Sequence, residues 1–413
     1  MKTIPTLAGR QVSDRMLFLS VTTLIFVAVF ATADRSLPYD IDPFMNAASA
    51  EALASTGSPI LTGLEAFATP DARGVFGWVV TSERGPVSQY PPGTALFASP
   101  FYLLDRGTQP ALMSATNDPD APPLKIEVPA LWPASLAGSV AVALAGGFMS
   151  LAVRRATDSW EFGAGAAILL AAGTGLWLNG GYQLWQHGIS SMWIPLALWL
   201  TADGRWLGSG FAMSLAILTR PPVAIIAAFV GVAASLHRRS IRPALLHGTA
   251  ALLGLTALLA YNYWLFGELT ISGGYSTAFT DNFMQNELAW YVGNILGGLF
   301  SPERGLFVWS PFLLVALFGV RGAWRQSPAW ASAAALGGLV LLLIQFRANR
   351  YSGGSGFFSY RYPLETLTAA TPLLALSVQR LVRNQLGRRA FVFTAVAAIG
   401  LHAAALIDEL WRG

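Results

Sequence analysis

Asp40 and Asp42 stand two positions apart in SLPYDIDPFMNAASAEAL (Ser36 to Leu53), just after a strongly apolar run. A carboxylate held where burial tunes its proton affinity can take the proton of a hydroxyl acceptor, so both residues are candidate general bases. Aspartate near a helix start can equally well cap it, accepting from orphan N–H groups and complementing the helix dipole. Residues two apart share a face in an extended chain and diverge in a helix. The two acids alone support either reading. Asp34, the first acid after the apolar run, joins them as a substrate-contacting candidate.

Three arginines have a comparable placement. Arg220 precedes Pro221-Pro222, and Arg304 and Arg361 lie beside glycine or aromatic residues, each at the boundary of an apolar segment. A cation there is either a functional group or a side chain snorkelling to headgroups, and Arg347 and Arg350 fit snorkelling better. His187, in GYQLWQHGISS, can hydrogen-bond a sugar or phosphate, or be an interfacial residue beside Trp185. Tyr90, Tyr182, Tyr351 and Tyr360 offer ring faces to a sugar, or belong to the aromatic belt of a membrane protein. One such histidine among scattered acids has no metal-ligand spacing, so no metal is expected. The glycine-rich GGYS (Gly273 to Ser276) and SGGSGFF (Ser352 to Phe358) match neither a Walker loop nor a dinucleotide fingerprint, and no cofactor is expected.

The elements that position these residues follow from composition. The chain of 413 residues is 54% hydrophobic and 12% charged, about half the charge of a soluble domain. It is read as an integral membrane protein. Cysteine is absent, which excludes disulfides and thiolate metal sites. The net charge of +4 lies in short basic clusters, a topology signal rather than a nucleic-acid surface.

Apolar segments at 15–33, 129–153, 161–178, 190–202, 206–219, 221–236, 243–263, 304–321, 329–346, 364–382 and 389–409 predict an all-α polytopic bundle. The basic clusters before residue 15 and at Arg154-Arg155, His237 to Arg239, Arg321 with Arg325, and Arg380 to Arg389 fall on alternate sides. The positive-inside rule therefore puts the N-terminus and these clusters in the cytoplasm. The small-residue end of the first span, ATAD (Ala31 to Asp34), resembles a cleavage site, but the later spans need an inserted start and the span is read as retained. Residues 34–128, 264–303 and 347–363 then face outward. Loops of this length are usually functional or disordered, and their aromatic content favours function. Within the first, 43–56 reads as a short helix with one apolar face, and Pro91 to Leu104 as a segment along the interface.

The acid-bearing DPFMNAASAEALASTG (Asp42 to Gly57) followed by SQYPPGTALFASPFYL (Ser88 to Leu103) resembles the multi-span GT-C glycosyltransferases. These are relatives of the protein O-mannosyltransferases and the lipid A aminoarabinose transferase. Asp42 with Ala50 and Leu53 fits the family's register of an acid about eight residues before AxxL, whereas Pro43 stands where a second acid is usual. LWQHG (Leu184 to Gly188), SPERGLFVWSPF (Ser301 to Phe312) and YSGGSGFFSYRYPLE (Tyr351 to Glu365) agree with bacterial members, in chain order. The resemblance implies transfer of a sugar from a polyprenyl-phosphate donor to an outer-face acceptor, with inversion at the anomeric carbon. A phosphate leaving group needs cations near the outer surface, and the planar fork of Arg220, Arg304 and Arg361 suits it.

The sequence therefore leads to a GT-C-like bundle of about eleven spans in a bacterial inner membrane, forming one domain. Its expected partners are a polyprenyl-phosphate sugar donor, a glycan, lipid or protein acceptor, and membrane lipids, with no nucleic acid. The alternative is a secondary transporter or lipid-linked sugar flippase, which needs charged or discontinuous helices at mid-membrane. A glycan ligase or polymerase shares the chemistry, and a non-catalytic scaffold is the fallback if the acids are only caps.

Overall fold

The computed structural model describes residues 12–36, 40–68, 79–113, 124–274, 283–284, 287–354 and 357–412. Helix α1 (Asp14–Thr32) opens on Ser13, whose side chain accepts from the Met16 N–H, and it packs against α4 (Trp132–Thr157). Between them come α2 (Ile41–Thr56) and α3 (Gly93–Ala98) of the first long loop. The bundle continues through α5 (Trp160–Ala172), α6 (Gln186–Ala202), α7 (Trp206–Thr219), α8 (Ala224–Arg238) and α9 (Arg242–Phe266). It closes with α10 (Leu288–Phe300), α11 (Leu306–Trp309), α12 (Phe312–Trp324), α13 (Ala329–Ala348), α14 (Leu364–Leu381) and α15 (Gln385–Arg412).

Small residues let these helices approach. A Cβ on Gly254 of α9 would collide with the Ser214 carbonyl of α7, so that crossing is backbone on backbone. Each predicted span has a helix at its position, and among the described residues six stretches are long and apolar enough to cross a membrane. Those at 161–178 and 304–321 are shorter than read, and the one at 206–219 is as short as read. α5, α7 and α12 have 13, 14 and 13 residues, roughly 20 Å of helix against a bilayer core of about 30 Å. α5 gives way to a π-helical turn, Trp177–Gly181, before α6, and α11 is separated from α12 at Ser310.

The long loops hold more structure than expected. Residues 264–303 contain the helix α10, whose Leu288, Val292, Leu296 and Phe300 form an exposed stripe four residues apart. The first loop carries two antiparallel hairpins, β1 (Val79–Ser82) with β2 (Gly85–Ser88) and β3 (Thr108–Met113) with β4 (Leu124–Pro129). Val80 and Val87 of the first hairpin pack on Leu265 at the end of α9. Helix α2 is not apolar on one face only: Pro43 to Ala50 are all buried.

Asp14, Arg154, Arg155 and Asp203 meet at one end of the bundle, joining the start of α1 to the ends of α4 and α6. The end of α1, the starts of α6 and α14 and the helix breaks lie at the other, where Ser135 at the start of α4 donates to the Asp34 carbonyl.

Candidate active site

Asp42 sits in the first turn of α2 and forms an ion pair with Arg361, both side chains largely enclosed at 16% and 14% exposure. Arg361 belongs to the segment that leads into α14, and that segment is held from several sides. Asn179 in the π turn donates to the carbonyls of Phe358 and Tyr360 at 2.9 and 3.2 Å. Arg304 donates to those of Phe357 and Ser359. Ser359 has φ +62°, and its hydroxyl lies 3.0 Å from His402 Nε2 on α15. A left-handed non-glycine residue costs about 1–3 kcal/mol and persists where its surroundings over-determine it. Here the turn buries the Tyr360 ring, with its hydroxyl 2.6 Å from Ser310 Oγ.

The guanidinium of Arg361 lies over Trp185, Phe357 and Tyr362, at 5.0, 5.0 and 5.4 Å from the ring centroids. Arg304 lies over the same Phe357 ring at 3.9 Å. Besides Asp42, Arg361 donates to the Gly353 carbonyl. The Nε atoms of both arginines are buried and have no hydrogen-bond partner among the described residues. A buried donor without an acceptor costs about 1–3 kcal/mol, so the pair suits an anionic oxygen. Burial opposes the charge on Arg361, but Asp42, Tyr362 and Tyr90 together outweigh it and hold the guanidinium above its ordinary pKa. Burial pushes Arg304 the other way, and the like charge of Arg361 adds to that.

Asp40 occupies the N-cap position of α2, yet its side chain makes no capping bond. Its N–H donates to Gln183 Oε1 at 3.3 Å, and Gln183 Nε2 donates to Asp34 Oδ2 at 2.9 Å. Burial first, then the charges of Glu409 and Asp42, raise the Asp40 carboxyl to about 7. Neither acid of the pair therefore serves as the cap, the plainer of the two sequence readings.

A second buried group adjoins the first. Glu365, near the start of α14, lies 3.0 Å from His187 Nδ1, 2.7 Å from Ser190 Oγ and 3.0 Å from Arg220 Nε. The Tyr362 ring is shared between the groups, 6.3 Å from the His187 ring and under Arg361. The three arginines read as converging on one anion thus fall into two neighbouring sets, Arg304 with Arg361 and Arg220 with Glu365. Glu365 was not singled out in the sequence. Its signals were its place at the end of the Tyr351 to Glu365 motif and its position as an acid opening an apolar helix at the boundary that carries Arg361.

Tyr90 is buried and within electrostatic reach of Arg361. Tyr351 and Tyr360 are placed differently from the sugar-stacking reading. The Tyr351 ring packs on Gly297 of α10, its N–H donating to Asn294, and Tyr360 is enclosed against Ser310 and His402.

No protein-family model matches the chain, and no curated protein sequence matches it. Solved structures do. ArnT from Cupriavidus metallidurans bound to undecaprenyl phosphate superposes with a TM-score of 0.52 at 17% identity, over 94% of this chain and 64% of that one. The apo form of the same protein gives 0.51 at 16% identity, over 91% and 61%. The chain spans less than two thirds of the length of these ArnT structures. The chain therefore has the helical membrane fold of these ArnT structures.

Proposed function

We propose that the protein is a GT-C-type glycosyltransferase that moves a sugar from a polyprenyl-phosphate carrier to a hydroxyl acceptor at the outer face of a bacterial inner membrane. The observation that carries this reading is the enclosed meeting of Asp42, Arg361 and Arg304 around Phe357, with one buried Nε donor on each arginine lacking an acceptor among the described residues. ArnT, with the same fold, binds undecaprenyl phosphate. The alternation of basic clusters supports the outward orientation of this end.

The acceptor hydroxyl attacks the anomeric carbon, the bond from that carbon to the phosphate oxygen breaks, and polyprenyl phosphate leaves with the bonding pair. Arg361 and Arg304 offset the charge that develops on the phosphate. The hydroxyl proton passes to the Asp40–Asp42 pair, in which the charge of Asp42 helps to hold the Asp40 carboxyl up. Asp40, at about 7, has the proton affinity of a general base at neutral pH, while Asp42 orients Arg361. An apolar cavity of about 390 Å³ between α5, α12, α14 and α15, lined by Leu169, Leu313, Leu367 and Leu374 among others, suits part of the lipid tail.

The test is release of polyprenyl phosphate from a panel of polyprenyl-phosphate sugars by the purified protein in nanodiscs supplied with envelope glycans and lipids. Release from at least one donor, lost in Asp42→Asn, is expected. Passage of the intact donor across liposomes with no release would instead identify a carrier.

A further inference from the structure

Glu365 is a buried acid that the transfer step does not use. It is 1% exposed, and three donors from two helices surround it: His187 Nδ1 and Ser190 Oγ from α6, and Arg220 Nε from the end of α7. Arg220 Nη1 also lies 3.1 Å from His187 Nε2. The direction of these bonds follows from the groups. A guanidinium only donates, so His187 Nε2 accepts, and the imidazole proton sits on Nδ1 facing Glu365. Glu365, His187 and Arg220 thus close a ring in which one carboxylate balances one guanidinium through a neutral histidine.

Arg220 meets this ring through Nη1 at His187 and through the ion pair of Nε with Glu365, so the ring does not use all of its five N–H donors. The Arg220 side chain is 15% exposed, while His187 and Glu365 behind it are 3% and 1% exposed. Tyr362 lies between the His187 ring and the Arg361 cage. A flexible arginine would lose side-chain freedom on meeting a ligand, and one fastened from behind has lost it already.

We infer that Glu365 and His187 are positioning residues that hold Arg220 as a preset contact for the phosphate of the lipid-linked donor. This rests on the transferase reading above. It assigns a role to Glu365 beyond a buried salt bridge, because such a bridge would stabilise the bundle without affecting phosphate binding.

Binding of undecaprenyl phosphate to the full chain in nanodiscs tests it. Arg220→Ala should weaken binding at least tenfold. Millimolar guanidinium ion should recover most of the loss, since Glu365 and His187 still frame the vacated place. The same addition should recover none in Arg220→Ala/Glu365→Gln. This double variant leaves no buried charge unpaired, so it is a safer protein to fold than Glu365→Gln alone. Equal recovery in both backgrounds, recovery in neither, or wild-type binding by Arg220→Ala would each overturn the inference and leave the Arg361 cage standing. Absence of binding by the folded wild-type protein would refute the phosphate reading itself, and this inference with it.

Discussion

Acids and arginines gather at both ends of the bundle, and the two gatherings differ in what surrounds them. At one end Arg155 pairs with Asp14 and Asp203 at 2.7 Å each, and Arg154 with Asp14 at 3.1 Å, with side chains 24–36% exposed. Water screens such pairs, and each contributes about 0–1 kcal/mol. At the other end Arg361 with Asp42 and Arg220 with Glu365 are 1–16% exposed. There aromatic rings replace water around Arg361, two guanidinium donors are left without acceptors among the described residues, and Asp40 takes a proton affinity near neutral pH. Identical residue types thus fasten helix ends in one place and build a charged, enclosed cluster in the other. Desolvation is the difference, and it is what turns ion pairs into candidates for chemistry.

The comparison breaks most sharply at Asp42. Asp42→Asn keeps the size of the side chain but removes the charge opposite Arg361. Turnover, measured as polyprenyl phosphate release, should fall about 10²–10⁴-fold. A variant with full turnover would make the enclosed pair as dispensable as the exposed ones. Next comes Arg361, where alanine should weaken undecaprenyl phosphate binding by about 1.5–3 kcal/mol for each charge-assisted hydrogen bond it removes. Arg361→Lys retains the charge but not the fork and should fall between alanine and wild type. Unchanged affinity in both would leave Arg361 as a packing residue.

A subtler effect is expected from Glu409. A base must be deprotonated to act, so kcat/KM should rise with pH to a plateau, with an inflection near the Asp40 value of about 7. Glu409 is the largest charge contribution holding that value up, so Glu409→Gln should move the inflection to lower pH. An inflection that stays in place, or moves up, counts against Asp40 as part of the base. The smallest effect belongs to the opposite end. Asp203→Asn should cost about 1 kcal/mol or less, read as the thermal midpoint in detergent, and leave turnover unchanged.

Much of this arrangement was legible in the amino-acid order. Apolar runs and alternating basic clusters located the helices, and the alanine-rich stretch after Asp42 announced α2. Helix α10 escaped because Gly293, Gly297 and Gly298 made its segment look like a loop, although its exposed apolar residues repeat every four. The first hairpin escaped because Val79–Ser82 and Gly85–Ser88 are too short to show alternation. The candidate acids, His187 and arginines were each picked out by type and boundary position, but their pairing was not. Asp42 and Arg361 are 319 residues apart, and no local pattern joins them. Tyr360 illustrates the converse. Its type and neighbours suggested a sugar contact, whereas the left-handed turn at Ser359 directs it into the core.

The most direct test of a phosphate-binding transfer site at this end is an experimental structure of the full chain with undecaprenyl phosphate bound. The account predicts a phosphate within hydrogen-bonding distance of the open guanidinium donors of Arg361 and Arg304, beside Asp40 and Asp42, with the lipid tail leaving between the helices. A phosphate held at the Arg154–Arg155 end, or a lipid path running through the bundle from one end to the other, would contradict it.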